Sequence, residues 1–217
     1  MERRQQYDSI ERILQTVKEK LKGEERLAGI FENCYTNTLD RTIKRMPDGT
    51  AYVVTGDIPA MWLRDSAAQM RPYLIAAKEE PELLNILAGL SRRQFFYIGI
   101  DPYANAFNET DNGNCWSVDD TERNRWVWER KYEVDSLCYP LQFAYLLWKN
   151  TGFMEHLDGT FREGAKKIVE VFKREQNHEE TSEYRFTRKD TYYTDTLSRN
   201  GKGALVKPKT GMTWSGF

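Results

Sequence analysis

Residues 66–97 read SAAQMRPYLIAAKEEPELLNILAGLSRRQFFY, and this stretch carries the clearest information about the fold. It predicts a helix over 66–77 and a second helix over 82–97, which follows Pro81 directly. Proline is tolerated in the first turn of a helix and poorly in its interior, so Pro81 marks the boundary between the two. Two helices in such close succession predict a helical hairpin.

Helical patterns continue on both sides of this hairpin. Apolar residues at helical spacing predict four more helices, the first of which stops at Gly23; they span 10–21, 25–39, 135–149 and 160–174. A turn signal at 47–49 predicts a small β-hairpin near 42–54, a strand is expected at 183–187, and 188–217 carries no helical pattern. Six or so paired helices with long loops at one end predict a mainly α fold, a helical toroid or bundle with a cleft.

The charge balance and the cysteines exclude several classes of protein. The 217 residues include 32 basic and 33 acidic side chains, which argues against a nucleic-acid partner and gives no polybasic reason to bind a membrane. The N-terminal residues lack the apolar stretch of a signal peptide, and no apolar run is long enough to span a bilayer. Three cysteines without a CxxC spacing favour neither a disulfide framework nor a zinc site. A cytoplasmic protein is expected.

Motifs for cofactor chemistry are missing from the sequence. Neither His156 nor His178 has a metal-ligand partner three or four residues further on, and no GxGxxG, P-loop or GxSxG pattern occurs. A calcium-loop alignment over residues 108–119 puts Asp119 where glutamate is required. No metal and no cofactor are therefore expected, and catalysis must rest on carboxylates or on residues outside this chain.

Aromatic residues make up 13% of the chain, and several lie in irregular segments rich in Asn, Asp and Arg. The first segment is TGDIPAMWLRDS at residues 55–66. Asp65 or Ser66 could cap the helix that follows, with Arg64 in a surface ion pair. Alternatively, Arg64 and Asp65 could bind sugar hydroxyls, which both donate and accept hydrogen bonds, while Trp62 covers the apolar face of the sugar ring.

A second segment, WVWERKYEVDS at residues 126–136, leads into a helix. Its acidic residues Glu133 and Asp135 could serve the helix dipole alone. A solvated helix face does not need the tryptophans, however, so the alternative is the polar and aromatic wall of a binding site. In DPYANAFN at 101–108, the Asn side chains hold turns or bind hydroxyls. Residues 191–197 and 210–217 form a further aromatic loop.

Four segments, TGDIPAMWLRDS, DPYANAFN, WVWERKYEVDSLCYP and GMTWSGF, closely resemble glycoside hydrolase family 125 and follow one another in the family's order. The resemblance covers nearly the whole chain after the first helix. Members of that family are exo-acting α-mannosidases that prefer α-1,6 linkages. The resemblance therefore implies an (α/α)6 barrel of six helical hairpins, metal independence, and an inverting mechanism with one carboxylic acid and one carboxylate base.

The resemblance also implies that residues 1–217 are the N-terminal part of a single catalytic domain, about half of the barrel, which continues beyond Phe217. Both catalytic carboxylates are expected after Phe217, so the chain alone is expected to be inactive. Its expected partners are the missing C-terminal half and an α-mannoside oligosaccharide or N-glycan fragment. The implied sugar-binding residues are Arg64, Asp65, Trp62, Trp128, Lys131, Glu133, Asp135, Asn105, Asn108 and Trp214.

Two other functions stay open at this stage. One is a different inverting glycosidase of the same architecture, such as an α-glucosidase. The other is a carbohydrate-binding or interaction module that derives from this fold and lacks catalysis.

Overall fold

Helices dominate the computed structural model, which describes residues 7–190, 192, 194–206 and 210–217. Those ranges contain seven α-helices: α1 Asp8–Lys20, α2 Glu25–Arg41, α3 Leu63–Met70, α4 Pro81–Ile100, α5 Val134–Thr151, α6 Gly159–Glu175 and α7 His178–Thr181. A 3₁₀ helix, Arg71–Ile75, follows α3 directly. The predicted mainly α fold class is confirmed. Among the described residues, no helix is long and apolar enough to cross a membrane.

The predicted helices agree with these bounds with one exception. Within 66–77, the α-helix ends at Met70 and the chain continues as the 3₁₀ helix. Pro72 explains the change, because proline has no N–H to donate and its ring clashes with the carbonyl four residues earlier. The chain turns more tightly here, and the side chains of Tyr73 and Leu74 are buried.

Helix α4 lies at the centre of the core. It packs against α5 and α6, and α5 also packs against α3. Leu83, Leu87 and Phe95 are among its fully buried side chains. Gly164 of α6 permits a close approach to α4, since a Cβ added there would lie 2.8 Å from Cδ1 of Phe95.

Two small antiparallel sheets complete the regular structure. Strand β1 Ile43–Arg45 pairs with β2 Ala51–Val53, which confirms the hairpin predicted near 42–54. The second sheet contains β3 Met61–Trp62, β4 Ala106–Phe107 and β5 Val127–Glu129, in the order β3-β4-β5. Sequence alone does not predict it, because strands of two or three residues are too short to show an alternating pattern. This sheet joins three segments that are distant in sequence.

The strand predicted at 183–187 is wrong. The backbone N–H of Phe186 donates to the carbonyl of Gly201 at 3.0 Å, and its carbonyl accepts from the N–H of Leu197 at 3.2 Å. Both partners belong to one following loop, so the segment pairs with a loop and forms no ladder. No helix occurs in the described part of 188–217, as predicted.

A buried carboxylate ties this loop to α6. Glu175 accepts hydrogen bonds from the hydroxyls of Tyr103 and Ser182, each at 2.6 Å, and its other oxygen lies 2.6 Å from Nδ1 of His178. Trp214 stacks on His178 with ring centroids 3.8 Å apart. Residues 210–217 are thereby held against the helices.

Candidate functional site

The three-stranded sheet and two helix N-termini bring most of the predicted site residues together. Trp62 lies in β3, Trp128 lies in β5, and Asn105 immediately precedes β4. Helix α3 begins one residue after Trp62, and α5 begins one residue after Glu133. The N-terminus of a helix carries a partial positive charge, which suits the carboxylates in the first turns of α3 and α5.

Arg64 is the centre of this cluster. Its Nη1 atom lies 3.0 Å from Oδ2 of Asp135 and 3.6 Å from Oε2 of Glu133, and its Nε atom lies 3.5 Å from Oδ2 of Asp65. Three carboxylates therefore surround one guanidinium. Within the described part of the chain, Oδ1 of Asp135 and Oδ2 of Asp65 are buried atoms that accept no hydrogen bond, although Oδ2 of Asp65 faces Nε of Arg64.

The capping interpretation of the first segment is wrong. The N-cap of α3 is Trp62, and no side chain caps this helix. Asp65 lies inside the first turn, and the hydroxyl of Ser66 donates to the carbonyl of Leu63 at 3.2 Å. The ion pair predicted for Arg64 is confirmed, although its nearest carboxylate belongs to the second segment, 71 residues further along the chain.

Glu133 is the most buried carboxylate around Arg64, with 14% of its side chain exposed. It accepts hydrogen bonds from Oγ of Ser136 at 2.8 Å and from Nδ2 of Asn105 at 3.2 Å. Burial raises the pKa of Glu133 above its ordinary value, although Ser136 and Arg64 act in the opposite direction. A role at the helix dipole alone does not describe this residue, because its carboxylate also accepts from Asn105 and lies 3.6 Å from Arg64.

A second group of charged residues lies beside the first, and of these Lys131 is the one named above among the implied sugar-binding residues. Nη2 of Arg188 lies 2.6 Å from Oε1 of Glu129, and Nε of Arg188 lies 3.0 Å from Oδ1 of Asp195. Nζ of Lys131 lies 2.5 Å from Oδ2 of Asp195 and 3.7 Å from Oε1 of Glu129. Burial opposes ionisation of Asp195, but hydrogen bonds from Arg188 and Lys131 outweigh it and lower the pKa of Asp195 to about 2.

A groove of about 330 Å³ runs beside Arg64 and Asp65, and Trp62 and Gln69 also line it. Trp128 is 7% exposed and belongs to the same small apolar cluster as Trp62. Its indole N–H has no hydrogen-bond partner among the described residues. Trp62 therefore supplies the accessible aromatic surface of the groove, whereas Trp128 packs in the interior.

Asn108 is not part of the Arg64 cluster. Its Nδ2 atom donates to the carbonyls of Asn114 and Arg125, at 2.9 and 3.0 Å, and the residue is 1% exposed. Asn108 stabilises the loop between β4 and β5 through these hydrogen bonds. Of the two roles predicted for the Asn side chains of 101–108, this is the one of holding a turn. A sugar contact by Asn108 has no support in this geometry.

Trp214 also lies outside the cluster. Its ring is stacked on His178, and its Nε1 atom donates to the carbonyl of Ala204 at 3.2 Å. The residue is 6% exposed, so its predicted sugar contact has no support in this geometry either. Of the further aromatic loop at 191–197, Thr191 and Tyr193 lie outside the described residues.

The chemistry of this site suits a ligand with many hydroxyl groups. Arg64 offers donors, the surrounding carboxylates offer acceptors, and Trp62 offers an aromatic face. Within the described ranges, no group of three or more His, Cys, Asp or Glu side chains is placed to hold a metal ion. The fold and the site together define a class of proteins built from helical hairpins, with a groove that is lined by charged and aromatic side chains.

Comparison with known proteins makes this class specific. The sequence model of the metal-independent α-mannosidases, glycoside hydrolase family 125, matches residues 24–217. The chain belongs to this family, as the four segments predicted.

Two relatives show the extent of the match. A solved structure from Streptococcus pneumoniae, a metal-independent α-mannosidase in a non-productive substrate complex with α-1,6-mannobiose, is 47% identical with a TM-score of 0.91, over 97% of this chain and 49% of that one. The meiotically up-regulated gene 157 protein of Schizosaccharomyces pombe is 33% identical over 230 aligned positions, which cover 96% of this chain and 45% of the relative. The predicted fold, mainly α and corresponding to about half of an (α/α)6 barrel, is confirmed by this match. The chain spans about half the length of these relatives.

Proposed function

We propose that this protein is an exo-acting, inverting α-1,6-mannosidase, and that this chain forms one wall of the pocket for the terminal mannose. The observation that carries the proposal is the position of Arg64, 3.0 Å from Asp135 and beside the groove that Trp62 lines. Family membership supports hydrolysis of α-mannosides, and the mannobiose in the pneumococcal complex supports the α-1,6 linkage. The substrate is then an α-mannoside oligosaccharide or an N-glycan fragment.

Sugar hydroxyls explain why a guanidinium and carboxylates are needed side by side. Each hydroxyl donates one hydrogen bond and accepts others, and charge-assisted hydrogen bonds are roughly twice as strong as neutral ones. Arg64 donates to the hydroxyls, and the partly exposed carboxylates of Asp65 and Asp135 accept from them. Trp62 covers the C–H face of the ring. Contacts that strengthen as the sugar distorts lower the activation barrier.

Inversion needs an acid that protonates the leaving oxygen and a base that activates water, about 6.5–9.5 Å apart. We place both carboxylates outside residues 1–217, in a C-terminal part of the same domain. The length of the relatives supports this placement, because each is about twice as long as the part that this chain matches. Residues 1–217 alone are then expected to be inactive.

The protein produced from its complete reading frame tests this proposal. It is incubated with α-1,6-, α-1,3- and α-1,2-mannobiose and with isomaltose, with and without EDTA, while proton NMR follows the first anomer released. We expect β-mannose from α-1,6-mannobiose, at a rate that EDTA leaves unchanged. Preferred hydrolysis of isomaltose would favour an α-glucosidase instead, and activity lost on chelation would contradict a metal-independent reaction.

The Arg64 cluster and the groove that Trp62 lines would also serve a second candidate, a carbohydrate-binding module without catalysis. In that case the same protein binds α-1,6-mannobiose in isothermal titration calorimetry and releases no mannose. Binding accompanied by hydrolysis excludes the module.

A further inference from the structure

Asn105 occupies the point where the segments that carry the site meet. Its carbonyl accepts the N–H of Leu63, at the start of α3, at 3.0 Å, and its own N–H donates to the carbonyl of Glu129 in β5 at 3.3 Å. Only 1% of the residue is exposed. The backbone of Asn105 therefore holds the segment that carries Arg64 beside β5.

The side-chain amide of Asn105 is fully used within the protein. Its Nδ2 atom lies 3.2 Å from Oε2 of Glu129 and 3.2 Å from Oε1 of Glu133, so its two hydrogens serve two different carboxylates. Its Oδ1 atom accepts the backbone N–H of Lys131 at 3.2 Å, which fixes the orientation of the amide. An asparagine has only two donor hydrogens, so none is left for a sugar hydroxyl.

A line of five side chains runs through Asn105, in which one arginine–glutamate pair lies on each side of the neutral amide. Arg188 lies 2.6 Å from Glu129, Asn105 joins Glu129 to Glu133, and Glu133 lies 3.6 Å from Arg64. Two buried carboxylates that shared a site would repel one another, and one would take up a proton. A neutral group with two donors satisfies both carboxylates at once and keeps each beside its own guanidinium.

We propose that Asn105 is a positioning residue of the site: it fixes Glu133, and through Glu133 the guanidinium of Arg64, in the geometry that receives the terminal sugar. This role replaces the sugar contact predicted for Asn105. The identity of the sugar rests on the proposed function, whereas the link between Asn105 and Glu133 does not.

Kinetics of the protein from its complete reading frame test the proposal. Asn105→Ala is expected to raise KM for α-1,6-mannobiose at least tenfold while kcat falls less, because Arg64 loses its fixed position before the chemical step. Asn105→Asp puts a third carboxyl group between the other two, so its activity is expected to be lower still at neutral pH. The activity is expected to recover as the pH falls, because a proton on Asp restores one hydrogen-bond donor.

The control variant is Tyr97→Phe. It removes a buried hydrogen bond, from the Tyr97 hydroxyl to the carbonyl of Asn108 at 2.7 Å, and is expected to keep wild-type kcat and KM. Equal kinetic losses in Asn105→Ala and Tyr97→Phe would overturn the proposal.

A second readout does not depend on catalysis. The carboxyl carbon of Glu133 is titrated by NMR in wild type, Asn105→Ala and Tyr97→Phe. We expect a higher midpoint only in Asn105→Ala, because a donor to the ionised form is lost; an unchanged midpoint would overturn the proposal. If no Asn105 variant folds, the wild type alone decides. The NMR chemical shifts of the Asn105 side-chain amide protons are then expected to change as Glu133 titrates, and constant chemical shifts would overturn the proposal. A wild type that neither binds nor cleaves mannobiose would refute the proposed function, while these titrations still decide the role of Asn105.

Discussion

Arg188 and Glu129 form a buried ion pair across 59 residues of sequence, with Nη2 of the arginine 2.6 Å from Oε1 of the glutamate. Their side chains are 2% and 9% exposed. The pair joins the loop after α7 to strand β5, which carries part of the site. A buried charge is costly without a partner, so this contact links the stability of the fold to the integrity of the site.

Arg188→Ala leaves Glu129 buried without its nearest cation. Breaking a buried pair from one side costs about 3–5 kcal/mol. We expect a loss near the lower end, about 3 kcal/mol in the free energy of unfolding, because Nζ of Lys131 is also only 3.7 Å away. Urea unfolding measures the loss. Lys166→Ala is the control, since it breaks an exposed pair with Glu163 and is expected to change stability little. Similar effects of the two variants would contradict the burial argument.

Arg64→Ala is expected to lower kcat/KM for α-1,6-mannobiose by about 10²-fold, because sugar hydroxyls and Asp135 lose a charged donor. Arg64→Lys should recover little, since an ammonium cannot reproduce the planar set of donors. Steady-state kinetics of the protein from its complete reading frame check this. Arg12→Ala is the control, because Arg12 forms an exposed pair with Glu79. A near-normal kcat/KM of Arg64→Ala would show that Arg64 does not bind substrate and that its ion pair with Asp135 is structural.

Asp195 makes stability depend on pH in the acid range. Burial alone would raise the pKa of Asp195, but hydrogen bonds from Arg188 and Lys131 lower it from 3.8 to about 2. A carboxyl whose pKa is lower in the folded state stabilises the fold above its unfolded pKa, and this contribution is lost as the pH falls through the folded value. We therefore expect the urea midpoint of the wild type to fall more steeply between about pH 4 and pH 2 than that of Asp195→Asn.

The matched control for this titration is Asp111→Asn, at an exposed position. Its midpoints are expected to follow those of the wild type over the same pH range. If the urea midpoints of the wild type and Asp195→Asn change in parallel with pH, ionised Asp195 does not stabilise the folded state.

Two helical glycines provide a test of the α4–α6 contact. Gly164→Ala would place Cβ 2.8 Å from the ring of Phe95, so a loss of about 1–3 kcal/mol is expected. Gly99→Ala in α4 meets nothing within 4 Å, so the reduced entropy of the unfolded chain should stabilise the protein by about 0.5–1 kcal/mol. Thermal unfolding followed by circular dichroism measures both. The same sign of effect for the two variants would contradict the close helix contact.

The helices could be predicted because each carries its own signal along the chain. Pro81 marks the start of α4, and apolar stripes mark α5 and α6. The same rule applied to Pro72 would also have predicted an interruption of the α-helix there, although Pro140 lies inside α5 without ending that helix. The three-stranded sheet could not be predicted, because its strands are short and their pairing depends on how distant segments meet.

The candidate site could be predicted only where its residues are neighbours in sequence. Arg64 and Asp65 are adjacent, and Glu133 and Asp135 begin one helix, so each pair forms a visible pattern. Arg188 has no other site residue beside it in the sequence, and the path of its loop brings it to Glu129. Asn105 and Asn108 look alike in the sequence, yet the first faces carboxylates and the second faces backbone carbonyls.

The span between Glu129 and Arg188 also sets a delay during synthesis. A ribosome adds about 5–20 residues per second, so the 59 residues added after Glu129 up to and including Arg188 take roughly 3 to 12 s. Throughout that interval the nascent chain carries β5 with a carboxylate that has not yet met its guanidinium. We therefore expect strand β5 and the neighbouring Trp128 to stay accessible to chaperones and proteases until Arg188 has left the ribosome, and slow codons between the two positions to prolong that exposure.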